Sequence, residues 1–164
     1  MPVDEDDPGA ERSRRQPIQV LVHPVRLAGN QWEYLLLRRI PSRGGFWQGV
    51  TGGVEGDEDL EEAARRELIE ETGYVPITLK RIEHSYSFPI EKRVSHLFPG
   101  ASEFMEHVFL AYVEGGKEPV MDPNEHDGYR WCRLDEALGL LKWPENKDAL
   151  KRCSEAIAAS GSPD

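Results

Sequence analysis

From residue 18 onward, short apolar runs alternate with charged or turn-forming stretches. Residues 18–23 and 32–38 read as strands around a turn at Ala28-Gly29-Asn30. After a loop at 41–45, residues 46–54 read as a third, short strand. Further strands are expected over 77–88, 104–113 and 129–132. The run 104–113 is the clearest, being rich in aromatic and β-branched residues. The pattern changes at Asp59, where strong helix formers run without a proline as far as Thr72. Gly73 stands where a helix wants a left-handed closing residue. Two more helices are expected over 135–141 and 146–159, separated by Trp143-Pro144. Residues 89–100 and 115–128 read as loops. Strands with one central and one terminal helix predict an α/β fold, a mixed sheet covered on both faces. Periodicity alone admits other α+β arrangements.

The helix over 59–72 carries an internal conflict. At roughly 100° per residue, Leu60, Ala63 and Ala64 share one face. The next positions on that face are Glu67 and Glu71, with Glu70 beside them. Like charges four residues apart repel, and the C-terminal end of a helix disfavours anions. Two penalties at one place imply a bound cation. Without further pattern, a solvated acidic helix would be the simpler reading.

Composition narrows the partners. The chain has 164 residues, enough for one domain with a real core. Its net charge of −10 argues against a nucleic-acid polymer, because phosphate binding needs a basic surface. A small anionic ligand is compatible if metal ions neutralise it locally. Cys132 and Cys153 lack metal-ligand spacing, and Cys132 reads as a buried free thiol. No apolar run approaches membrane-spanning length, and the acidic N-terminus lacks a signal-peptide core, so a cytoplasmic location is expected. Residues 1–14 are charged or turn-forming and expected to be disordered, leaving residues 15–160 as the domain.

Spacing around the glutamates adds a family. Gly52 is followed after five residues by Glu58, and after seven more by Arg66-Glu67-Leu68-Ile69-Glu70-Glu71-Thr72-Gly73-Tyr74. This resembles the signature of the Nudix hydrolases, with every charged and glycine position in place. The departure is Tyr74, where the signature has an aliphatic residue; that position packs rather than reacts. The resemblance implies an α/β/α sandwich with a mixed sheet. It also implies hydrolysis of a phosphoanhydride with Mg²⁺, for which Mn²⁺ can substitute. Such hydrolysis sends water against phosphorus shielded by negative oxygens. Mg²⁺ neutralises that charge, and carboxylates are the ligands it prefers. On this mapping Glu67, Glu70 and Glu71 are metal ligands, with Arg66 steadying a carboxylate and Glu58 pairing with a basic residue. Glu67 is the first choice for general base and Glu125 the second. Gly52 and Gly53 let backbone approach phosphate and metal.

Outside the signature, residues 46–55 (Phe-Trp-Gln-Gly-Val-Thr-Gly-Gly-Val-Glu) are similar to the Nudix group of dihydroneopterin triphosphate diphosphatases, with related dNTP diphosphatases sharing much of the pattern. So are Phe98-Pro99-Gly100, Glu125-His126 with Tyr129 and Trp131, and Trp143 to Asn146. The likeness implies Glu125 as a fourth metal ligand, with Arg39, Thr51 and Arg15 toward the substrate. Trp47, Tyr86, Phe88 and Phe98 are candidates to stack on a ring, although aromatics in a small domain are usually core. His84, His96, His107 and His126 receive no role. The expected substrate is dihydroneopterin triphosphate or a (d)NTP, cleaved to a monophosphate and pyrophosphate. Partners are thus a small nucleotide or pterin triphosphate, with no nucleic-acid polymer and no membrane, for a monomer or homodimer. Alternatives are a dinucleoside polyphosphate, ADP-ribose or a capped RNA end, or a nucleotide-binding module without turnover. Retention of all three glutamates argues against the last.

Overall fold

A computed structural model describes residues 15–160, so the expected N-terminal tail lies outside the described residues. The sheet is built around β1 (Arg15–Ala28), which runs parallel to β6 (Glu103–Tyr112) on one side. On its other side β1 has two antiparallel partners in succession. Its first part, through Val22, pairs with β4 (Val50–Glu55); from Val25 to Ala28 it pairs with β2 (Gln31–Arg39). β2 in turn carries β3 (Trp47–Gln48) and β7 (His126–Cys132), while β5 (Thr78–Pro89) lies beyond β6. The sheet is therefore mixed and splits between β4 and β2.

Alternating positions sort into two apolar layers, as the pleat requires. Val20, Val22, Leu35, Leu37, Val50, Val54 and Phe109 face α1 (Leu60–Thr72), which contributes Ala63, Ala64 and Leu68. Leu21, Val25, Tyr34, Leu36, Val108 and Leu110 face α2 (Leu134–Leu140) and α3 (Pro144–Ser160). Cys132 and Cys153 are buried free thiols in the second layer. No helix among the described residues is long and apolar enough to cross a membrane.

Four expectations need correcting. β1 continues through Pro24 to Ala28 instead of stopping at His23. Proline is tolerated because Pro24 falls where β1 changes partners, between Val22 and Val25, so its missing N–H costs no ladder bond on that edge. The single strand over 46–54 is two strands, broken at Gly49, where a Cβ would lie 2.9 Å from the His23 ring. β7 begins at His126, three residues earlier than expected, and carries a bulge between His126 and Gly128, opposite Arg39 and Arg38. The loop over 89–100 also holds a 3₁₀ turn (Lys92–Leu97) that seats Val94 and Phe98 on Phe104. Phe98 is thereby a core residue and not a stacking surface.

His23 sits at the split, fully buried, and neither ring nitrogen has a hydrogen-bond partner among the described residues. Burial lowers its pKa from 6.5 to about 4. Between those values the unfolded chain binds a proton that the native chain refuses, so stability falls as pH falls. Between pH 7 and 4, the native protein is expected to lose on the order of 3 kcal/mol more than His23→Leu. Denaturant titrations at both pH values check this; parallel losses would refute it.

Candidate active site

α1 is bounded as the sequence implies. Asp59 caps its N-terminus in a reciprocal box with Glu62, and Gly73 closes it at φ 77°. Tyr74 is buried against Trp131 and donates through its hydroxyl to the Lys117 carbonyl, so this departure from the signature packs.

Arg66 organises the acidic half of the helix. Its Nε and Nη2 donate to both oxygens of Glu58, at 2.7 and 2.8 Å. Nη1 donates to Glu67 Oε1 at 2.7 Å and Glu70 Oε2 at 3.2 Å, and Nη2 also reaches the Gly53 carbonyl at 2.8 Å. All five guanidinium N–H groups are thereby used. Glu58 Oε1 also accepts from the Glu55 backbone N–H, tying the loop before α1 to the helix. Burial pushes the Glu58 carboxyl up, but the Arg66 hydrogen bonds outweigh it and hold it below the usual range.

Glu67 and Glu71 face the sheet, whereas Glu70 stays exposed. A Cβ on Gly52 would lie 2.0 Å from Glu67 Cδ and 2.2 Å from its Oε1. Glycine at 52 is therefore the space that Glu67 occupies. One turn on, Glu71 is buried, with His126 Nε2 3.9 Å from its Oε1. Burial raises the Glu67 carboxyl to about 7, and it raises Glu71 as well, further assisted by the Glu67 charge and a hydrogen bond between the two carboxyls. Glu125 adds another negative charge felt by Glu71, and Arg39 a positive one. His126 is buried and held neutral, its pKa lowered to about 4 by burial and then by Arg39. The acidic end of α1 thus spans the split, with Glu67 against β4 and Glu71 toward β2 and β7.

The other candidates divide by face. Arg39 lies on the α1 side with Glu71, over the Phe46 ring at 5.3 Å. Thr51 pairs with Leu21, which puts it on the opposite face of the split. Trp47 is on that second face too, packed against its apolar layer, with Arg38 5.5 Å from its ring. Arg15 opens β1, and its side chain lies outside the described residues. His126 is the residue sequence reasoning left without a place. Its approach to Glu71 depends on the bulge between His126 and Gly128, which has only a weak local sequence signal.

The donor set suits a hard divalent cation. The half-buried Glu67 and the buried Glu71 carboxylates lie side by side with raised proton affinity, and every candidate ligand is an oxygen. Among the described residues no three His, Cys, Asp or Glu side chains converge as a complete ligand sphere. Mg²⁺ is commonly held by one or two carboxylates plus waters and substrate phosphates, so a partial protein sphere is compatible.

Known proteins bear the signature out. The NUDIX domain model matches residues 17–153. The chain belongs to the Nudix hydrolases. Over 130 residues, 74% of this chain and 73% of the relative, it is 38% identical to an RNA pyrophosphohydrolase of Caulobacter vibrioides. It is 29% identical over 143 residues to the dihydroneopterin triphosphate diphosphatase of Escherichia coli, covering 84% of this chain and 92% of that one. An octanoyltransferase of Myxococcus xanthus matches at 31% identity, but the match spans only 36% of that longer protein. In three dimensions this Nudix chain is similar to a NUDIX hydrolase from Listeria monocytogenes, with a TM-score of 0.75 and 29% identity over 88% of this chain and 96% of that one.

Proposed function

We propose that this Nudix hydrolase cleaves the phosphoanhydride of a nucleoside-triphosphate-like substrate to a monophosphate and pyrophosphate, using Mg²⁺ or Mn²⁺. Dihydroneopterin triphosphate or a (d)NTP is the preferred substrate. The observation that carries the reading is the pair of half-buried Glu67 and buried Glu71, with Glu67 filling the space beside Gly52 and Arg39 near Glu71. Glu67, Glu70 and Glu71 would hold the cation, joined by Glu125. When bound, the ion neutralises phosphate charge and lowers the pKa of water. Arg66 fixes Glu67 in orientation, and Arg39 offers positive charge to the phosphate chain. Glu67 takes the proton of the attacking water, with Glu125 as the alternative base. Support for the substrate class comes from the relative named for dihydroneopterin triphosphate.

The relative named an RNA pyrophosphohydrolase supports a second reading, removal of pyrophosphate from RNA. The net charge of −10 weighs against a long polyanion. A substrate panel with Mg²⁺ separates the two. It contains the four dNTPs, GTP, dihydroneopterin triphosphate, ADP-ribose, diadenosine tetraphosphate and a 5′-triphosphate RNA. Pyrophosphate release from the small triphosphates is expected. Faster release from the RNA would replace this reading with the second, and two monophosphates from ADP-ribose would overturn both.

A further inference from the structure

On the sheet face opposite α1, a polar row interrupts the apolar layer. Tyr86 of β5 pairs with Glu106 of β6, Glu106 with Gln19 of β1, and Gln19 with Gly53 of β4. Glu106 is fully buried on β6, on the same side as Val108 and Leu110, and Asn146 of α3 is 2% exposed. Hydrogen bonds fix the polarity of the cluster. Asn146 Nδ2 donates to the Tyr86 hydroxyl at 3.0 Å, and that hydroxyl donates to Glu106 Oε1. Two acceptors are left, Glu106 Oε2 and Asn146 Oδ1, and neither has a partner among the described residues. Each unmet buried acceptor is costly, and a carboxylate is a poor choice for merely fastening a helix to a sheet.

The row also leads to the candidate phosphate site. Glu106 is two strands from Gly53, about 10 Å at the usual strand spacing. The Gly53 carbonyl is held by Arg66, and Gly52 beside it makes room for Glu67. Between β4 and β2 the sheet is split, so a ligand there can meet both faces. About 10 Å is the reach of a nucleotide from its ring to its phosphates.

Building on the proposed hydrolase function, we propose that Glu106, Tyr86 and Asn146 recognise the substrate's heterocycle, and that this ring carries the 2-amino-4-oxopyrimidine edge shared by guanine and pterin. That edge presents a ring N–H beside an exocyclic amine, two adjacent donors for the unmet acceptors. Adenine and cytosine offer one amine next to a ring acceptor. Uracil and thymine offer one N–H between two carbonyls, which would face these acceptors with lone pairs.

The test uses the full chain and its Glu106→Gln variant, measuring kcat/KM with dGTP, dihydroneopterin triphosphate, dATP and dCTP. The native protein is expected to favour the first two by tenfold or more, and their ratio tells guanine from pterin. Glu106→Gln is expected to lose about 10- to 100-fold on the favoured substrates, chiefly through KM, and less than about threefold on dATP. Tyr86→Phe, which keeps the ring but frees the carboxylate, should shift selectivity the same way by less, and it carries the test if Glu106→Gln does not fold. Equal losses on dGTP and dATP would make the cluster structural and overturn the proposal, as would a native enzyme indifferent to the base. Calorimetric binding of dGMP against dAMP gives a readout independent of turnover. If dGMP binding depends on Glu106 but no triphosphate is hydrolysed, the hydrolase reading fails while ring recognition stands.

Discussion

Glu71→Gln is expected to lower kcat by at least about a hundredfold while leaving the protein as stable as the native chain or more so. The two effects share one cause. Glu71 is buried beside Glu67, and its carboxyl is raised by burial and by that neighbour's charge. In the absence of a cation the pair is destabilising, because two carboxylates in one dry place cannot both ionise cheaply. A neutral amide removes that repulsion and with it a ligand for the cation. Active sites commonly hold such a compromise between stability and function. Glu67→Gln should show the same loss of rate, on the scale typical of general-base or charge-stabilising groups. Turnover with Mg²⁺ and thermal unfolding without it check the pair of claims. A rate near that of the native enzyme in both variants would remove the proposed site. A clear drop in melting temperature would show instead that Glu71 is needed for the fold.

Gly52→Ala should be nearly as damaging, although it adds one methyl group and removes no functional group. The new Cβ would lie 2.0 Å from Glu67 Cδ, so the two cannot coexist as placed. Glu67 is a flexible side chain and the backbone at Gly52 is an ordinary strand, so the carboxylate yields rather than the fold. Overpacking of this kind costs roughly 1–3 kcal/mol. Displacing Glu67 also breaks its 2.7 Å contact with Arg66. About a hundredfold loss in kcat is expected. Because both changes act on one carboxylate, Gly52→Ala with Glu67→Gln should be little worse than either alone. Losses that multiply would show that Gly52 serves some other purpose.

The parts of the site that sequence made legible are those within one segment. Residues 52–73 carry the glycine, the capping signals and the carboxylates at fixed spacing, and the helix expected over 59–72 forms from Leu60 to Thr72 between its caps Asp59 and Gly73. The partner of Glu58 was legible only as a basic residue. Only the side-chain fork shows that Arg66 binds both Glu58 oxygens. Features that depend on distant strands stayed hidden. Pro24 reads as a strand ending and Gly49 as the middle of a strand, yet both lie where strands exchange neighbours around His23. The approach of His126 to Glu71 needs a bulge, and bulges have weak local signals. Glu106 was lost inside the clearest strand pattern of the chain. The run 104–113 reads as apolar and aromatic, and a single carboxylate there looks like an outward-facing residue. Pairing with Tyr86 and cover from α3 put it inside.

The central claim is that Glu67 and Glu71 hold the divalent cation on which phosphoanhydride cleavage depends. The most direct measurement is pyrophosphate release from dGTP as Mg²⁺ is titrated, with the native chain and the Glu67→Gln, Glu71→Gln double variant side by side. The native protein is expected to be inactive after metal chelation and to gain activity with saturating dependence on Mg²⁺. The double variant is expected to remain at least about a hundredfold slower at every concentration. Pyrophosphate release without metal, or an unchanged Mg²⁺ response in the double variant, would contradict the assignment.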